Sequence, residues 1–144
     1  MRPAALFLIP ALAFFGLAGL FACSSDGDAD AKTCTTVSTD CTPLYEPSYD
    51  QIFENTLKPT CAKSGVSCHA STGHQGGLAF EDADESYRML VQETGDARPG
   101  DPACSEIVVR ITATDGKVRM PPGASIDPGA QCAIIQWIAA GAKR

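Results

Sequence analysis

Apolar residues return at steps of three and four positions between Tyr49 and Leu57, just after a polar stretch that runs from Ser24 to Glu46. This spacing places them on one face of a helix. The residues on that face are Tyr49, Ile52, Phe53 and Leu57. Ser48 precedes them as an N-cap, so the pattern predicts an amphipathic helix that begins after Ser48. Pro59 is expected to stop this helix just before Cys61.

Three more helices are predicted downstream, each from a polar start signal followed by apolar residues at helical spacing. The second begins after Asp82, where Glu85 completes a capping box, and ends at Gly95. The third and fourth begin at Asp101-Pro102 and Asp127-Pro128, where an N-cap residue precedes proline at the first helical position. The predicted fold class is therefore all-α, with about four helices joined by long loops over residues 48–144.

The first residues of the chain follow a different pattern, an uncharged apolar run from Ala4 to Ala22 behind the single charge of Arg2. Its proline and glycines suit a cleaved export signal better than a permanent helix. Leu20-Phe21-Ala22-Cys23 resembles a bacterial lipobox, in which the cysteine becomes the lipidated first residue. We therefore predict a lipoprotein signal peptide at residues 1–22 and lipidation of Cys23, with an uncleaved membrane anchor as the alternative.

The residues after the cleavage site predict a location in the cell envelope. Ser24 and Ser25 resemble the sorting signal of outer-membrane lipoproteins, which in a Gram-negative host implies a lipid-anchored protein that faces the periplasm. The predicted partner there is the lipid bilayer, reached through acyl chains on Cys23. Loss of Arg2 with the signal changes the formal net charge from -6 to -7. Nucleic acid is not expected as a partner, because phosphate binding requires clustered Lys and Arg.

Residues 23–47 are predicted to form a flexible polar tether ahead of the domain at 48–144. Ser, Asp, Thr and Ala dominate the tether, and it has too few large apolar residues to order itself. Export implies an oxidising compartment in which disulfides persist. Of the seven cysteines, six remain once Cys23 is lipidated, and an even number permits full use of the thiols in disulfides or thioethers.

Four of these six cysteines are predicted to form two disulfides. Cys34 and Cys41 are isolated within the tether, so we expect them to pair with each other. Cys104 and Cys132 lie on apolar helix faces near two helix starts, so we expect the second disulfide there, with two buried thiols as the alternative. A bond between Cys104 and Cys132 would stabilise the fold by about 3 to 4 kcal/mol in the chain-entropy model.

The remaining pair, Cys61 and Cys68, is followed directly by His69. Two thiols and an adjacent imidazole are the groups that attach haem in c-type cytochromes, although the usual spacer has two residues and this one has six. A helical spacer would separate the two backbones by about 10 Å, beyond the roughly 4.4 to 6.8 Å of a disulfide. Haem attachment and a Cys61–Cys68 disulfide both require the spacer to loop out, so spacing alone leaves both open.

Met120-Pro121-Pro122 lies in a predicted loop between the third and fourth helices. A methionine opposite a histidine is the iron ligation of cytochromes c that raises the reduction potential. Met89 belongs to a helical face and His74 is close to His69 in sequence, so both are less suited to be the second ligand. Met120 is therefore the candidate distal ligand.

Residues Ile52 to Ala142 resemble the small class I c-type cytochrome domains of exported bacterial proteins. The matching features are the first helix running into Cys61…Cys68-His69, then Gly76-Gly77-Leu78, Pro99-Gly100-Asp101-Pro102, Met120-Pro121-Pro122 and the final segment Ile134 to Ala142. The resemblance implies a cytochrome c-like fold and one covalent haem c. It also implies thioethers at Cys61 and Cys68, iron ligands at His69 and Met120, and Trp137 in a helix that packs against the haem region.

The function predicted from these features is a membrane-tethered mono-haem electron carrier, not a catalyst, with a redox protein as its partner. The alternative is a haem-free lipoprotein of the same fold, stapled by disulfides that include Cys61–Cys68, with a structural or binding role. A Cys/His metal site is a third possibility, weakened by the presence of only two histidines. The sequence contains no motif that suggests a hydrolase or a phosphate-loop enzyme.

Overall fold

The computed structural model describes residues 33–62 and 68–144. Within these ranges the chain forms four helical elements and no strand, which confirms the all-α prediction. Helix α1 consists of an α-helical turn, Tyr49–Ile52, and a π-helical segment, Phe53–Cys61; helix α2 likewise joins Ala83–Tyr87 to π-helical Arg88–Glu93. Helix α3 is Glu106–Thr112, helix α4 is Pro128–Ala139, and Gln75–Gly77 forms a short 3-10 turn. The predicted signal peptide, Cys23 and residues 63–67 of the spacer between Cys61 and Cys68 lie outside the described residues.

Helix α1 does not stop at Pro59 as predicted but continues to Cys61. The wider π-helical turn uses bonds five residues apart, and the N–H of Ala62 donates to the carbonyl of Leu57 at 3.2 Å. Pro59 lacks an N–H, but it lies on the exposed side of the helix, where water can satisfy the carbonyl group that it leaves without a donor. Cys61 is therefore carried on the last turn of α1.

The predicted starts of α2 and α4 are correct, and that of α3 is wrong. Asp82 accepts hydrogen bonds from the backbone N–H groups of Asp84 and Glu85 at 3.0 and 2.9 Å. Asp127 accepts one from Gly129 at 2.7 Å. Helix α3, however, begins at Glu106, because the Asp101 side chain instead closes a separate turn onto the N–H of Cys104.

Helix α4 supplies the centre of the core and packs against α1 and α3. Its buried residues are Ala130, Cys132, Ala133, Ile134, Ile135, Trp137 and Ile138. Trp137 packs against Tyr49 at the start of α1, with ring centroids 5.4 Å apart, and its indole N–H donates to the carbonyl of Lys143. This position is at the opposite end of α1 from Cys61.

The four predicted disulfide cysteines do form two disulfides, but the predicted pairing is wrong. Cys34 is bonded to Cys104 and Cys41 to Cys132. Both bonds join the N-terminal segment to the helical domain. The sequence pattern had suggested one bond within the N-terminal segment and one within the helical domain. Pairing requires spatial proximity of the two backbones, and separation along the chain carries little information about it.

The same segment is held along α4 by hydrogen bonds. The N–H of Leu44 donates to the carbonyl of Gly129 at 3.0 Å, and Gln136 Nε2 donates to the carbonyls of Thr39 and Cys41 at 2.9 and 3.0 Å. The predicted tether at 23–47 therefore differs from the structure over residues 33–47, which form a strap fixed to the domain. Among the described residues no helix has the length and apolar character needed to cross a membrane.

Candidate functional site

A cavity of about 500 Å³ opens between the end of α1, the segment 68–80, helix α3 and the loop 120–126. Its volume lies within the range of roughly 300–1,000 Å³ that is typical of small-molecule and cofactor sites. The four predicted haem-site residues, Cys61, Cys68, His69 and Met120, all line it. Trp137, which the resemblance places in a helix that packs against the haem region, does not itself line the cavity. Much of the remaining wall is apolar and buried: Leu57, Leu78, Phe80, Ile111 and Ile126.

His69 is positioned by a tight turn that folds the chain back over it. The N–H of Gln75 donates to the carbonyl of Cys68 at 2.9 Å, and that of Phe80 donates to the carbonyl of His69 at 2.8 Å. The turn requires Gly76 and Gly77, whose φ angles of 65° and 74° lie in the left-handed region. The result places the Phe80 ring 5.2 Å from the imidazole of His69.

The environment of the His69 imidazole favours its neutral form. Burial lowers the pKa of His69, and the backbone carbonyls of Gln75 and Leu78 offset part of this shift. Its buried Nδ1 has no hydrogen-bond partner of normal geometry among the described residues. Neutral imidazole is the metal-binding form of histidine. A half-buried neutral ring on a cavity wall fits the ligand role that the sequence predicts.

Cys61 and Cys68 are the two cysteines of the described chain that form no disulfide. Burial, with a smaller contribution from the nearby Cys68, raises the pKa of Cys61 to about 11. Cys61 is therefore a protonated thiol at neutral pH. Two thiols that face one cavity beside a neutral imidazole form the donor set for thioether attachment of a haem, so the residues present fit that group.

Met120 approaches the cavity from the loop between α3 and α4. Its N–H donates to the carbonyl of Arg110 at 3.0 Å, which fixes the loop against α3. Pro121 and Pro122 line the cavity beside it. The two other candidates lie elsewhere, as the sequence predicts: Met89 is buried in the core and His74 is exposed.

Three charged residues in the cavity wall were not predicted from the sequence: Asp96, Glu106 and Arg110. Arg110 Nε donates to Glu106 Oε1 at 2.6 Å, so two of the three form an ion pair on α3. Their i,i+4 spacing could have indicated the pair, but not that it faces the cavity. Within 33–62 and 68–144, no group of three or more His, Cys, Asp or Glu side chains is placed to hold a metal ion, so the Cys/His metal site gains no support.

A helical domain whose cavity is lined by a Cys-His pair, a second thiol and a loop methionine has the features of a cytochrome c-like domain. Residues 66–123 match the family model described as Planctomycete cytochrome C, which supports a cytochrome c-like domain in this chain and suggests a protein with covalently bound haem c. The match includes Cys68, His69 and Met120 but not Cys61. No curated protein and no solved structure gives a significant match.

Proposed function

We propose that this chain is a membrane-tethered, mono-haem c-type cytochrome that acts in electron transfer, with the iron ligated by His69 and Met120. One observation carries the proposal: Cys61 on α1, the adjacent Cys68 and His69, and Met120 from the loop before α4 line a single cavity. The alternative, a haem-free lipoprotein, requires a third disulfide between Cys61 and Cys68, and these two residues are thiols in the structure.

In this proposal each wall of the cavity has a distinct task. Cys61 and Cys68 would attach the haem as thioether donors, and His69 and Met120 would ligate its iron. When bound, a haem supplies a one-electron couple between ferric and ferrous iron. The thioether sulfur of Met120 favours the ferrous state and so raises the potential. The buried side chains of Leu57, Leu78, Phe80, Ile111 and Ile126 exclude water from the site.

Part of the cavity rim is open to solvent and uncharged. The exposed lining residues are Thr60, Gln75, Gly76 and Pro122. A redox partner could approach the cavity across this rim without displacing a charged side chain. The open, uncharged rim supports a carrier that passes single electrons to another protein. Such a carrier requires no substrate pocket.

A potentiometric titration tests the electron-transfer role. The full chain, expressed with a c-type maturation system, should be reduced and reoxidised reversibly in one step that follows a one-electron Nernst curve. A single step is expected because one Cys-His pair is present in the sequence. A protein that takes up no electron reversibly, or one that titrates in two separate steps, would contradict the mono-haem proposal.

The membrane tether is proposed from the sequence alone, since Cys23 lies outside the described residues. The wild-type chain should incorporate radiolabelled palmitate, and a Cys23→Ser variant should not, because it removes the site of acylation. The control is Ser24→Ala, which should be labelled like the wild type. Equal labelling of Cys23→Ser, or an unlabelled wild-type chain, would mean that the lipid anchor is wrong.

A further inference from the structure

Arg110 makes three contacts at the point where helix α3 meets the loop that carries Met120. Its backbone carbonyl accepts the N–H of Met120 at 3.0 Å. One terminal nitrogen of its side chain, Nη1, donates to the carbonyl of Val118 at 3.4 Å. Its Nε donates to Glu106 Oε1 at 2.6 Å. Arg110 therefore contacts the loop at both Val118 and Met120, and its side chain is oriented by Glu106 on the same helix.

We propose that Arg110 is the positioning residue for Met120: its guanidinium, oriented by Glu106, holds the segment 118–120 against α3 so that Met120 faces the cavity. This inference rests on the proposed function, because it assigns Arg110 a role in presenting the distal ligand. In this role Arg110 acts through the loop that carries Met120 and is not itself an iron ligand.

Apart from the Arg110 contacts, the hydrogen bonds of residues 114–119 lie within the turn itself, and the buried Ile126 anchors only the far end of the loop. Residues 114–118 are all exposed, and Val118 is one of the large apolar residues that remain outside the core, at 40% exposure. Asp115 accepts backbone bonds within the same loop, from the N–H groups of Val118 and Arg119, which shape the turn without attaching it to the domain. The Arg110 contacts join this turn to a helix whose Val108 and Ile111 are buried in the core.

The ion pair between Arg110 and Glu106 is too exposed to act mainly by stabilising the fold. The side chains of Arg110 and Glu106 are 39% and 29% exposed, and ion pairs with this much exposure contribute little to folding stability. A change at Arg110 should therefore leave the domain folded while it loosens the loop. This separates a positioning role from a structural one.

The test compares Arg110→Gln with Arg110→Lys, Glu106→Gln and the matched control Arg88→Gln. Arg88 forms a similar exposed pair with Glu93 on α2, and it does not line the cavity. Two properties are measured on the full chain: hydrogen exchange of the Met120 amide, and the charge-transfer absorption band of methionine-ligated ferric haem. Circular dichroism verifies that each variant is folded.

In Arg110→Gln, the Met120 amide hydrogen should exchange about fivefold faster than in the wild type, which is the effect expected from the loss of one weak contact. The charge-transfer band should also be weaker in this variant. Glu106→Gln should produce a smaller change in the same direction, Arg110→Lys should restore part of the loss, and Arg88→Gln should match the wild type. Unchanged exchange and an unchanged band in folded Arg110→Gln would overturn the positioning role alone. A wild-type protein without haem would overturn the proposed function, and this role with it.

Discussion

Replacing both Cys41 and Cys132 with serine is expected to lower the free energy of unfolding by about 4–5 kcal/mol in the chain-entropy model. The bond between them joins positions 91 residues apart, so its loss releases a long loop in the unfolded chain. Cys132 also lies in the buried face of α4, where the bond holds the strap at residues 33–47 against the core. Denaturant unfolding followed by circular dichroism measures the change.

A single replacement distinguishes the observed pairing from the one that the sequence suggested. In Cys41→Ser, the thiol that becomes free should be that of Cys132, and alkylation followed by peptide mapping identifies it. The control is Ser38→Ala, which changes the exposed strap but no disulfide. Labelling of Cys34 instead of Cys132 would mean that Cys34 and Cys41 are bonded to each other and that the strap is a free tether.

Replacing Met120 with alanine is expected to lower the reduction potential by on the order of 0.1 V or more, since axial ligands set haem potentials over about 0.8 V. Loss of the thioether removes the ligand that favours ferrous iron, and the charge-transfer band of methionine-ligated ferric haem should disappear with it. Spectroscopic potentiometry of the two proteins measures both effects.

The control for this change is Met89→Leu. Met89 is 8% exposed in the core and does not line the cavity, so a residue of similar size should leave potential and band unchanged. If Met120→Ala keeps the potential and band of the wild type, Met120 is not the ligand. A shift in Met89→Leu alone would assign that role to Met89.

The helices could be predicted where local chemistry alone determines them. Asp82 and Asp127 are N-caps in the structure because the hydrogen bonds they accept come from residues two and three positions away. Asp101 has the same sequence signal, but its side chain closes a separate turn before α3. Pro59 fails as a stop signal because the helix widens into π geometry, which packing against the core can stabilise and a sequence pattern does not reveal.

The errors in the disulfides and the tether have one physical origin. A polar composition indicates correctly that residues 33–47 cannot form a core of their own, yet two covalent bonds fix them to a core made by other residues. Such bonds join positions that are 70 and 91 residues apart. No local pattern in the strap specifies which distant thiol lies beside it.

In the candidate site as well, residues marked by their sequence neighbours could be predicted, and residues that matter through contacts distant in sequence could not. Cys68 and His69 are adjacent in sequence, and Met120 is marked by the two prolines that follow it, so each could be selected before the structure was known. The charged residues Glu106 and Arg110 could not, because their importance depends on the loop that lies against α3. Cys61 enters the cavity because α1 continues past Pro59.

The visible spectrum of the full chain after c-type maturation and acid-acetone extraction tests whether this protein holds a covalent haem. Extraction removes haem that is not covalently bound. We predict that the Soret band stays with the protein, through a thioether at Cys68 and a second at Cys61. A colourless protein whose mass corresponds to three disulfides would contradict the account, because Cys61 and Cys68 would then be bonded to each other.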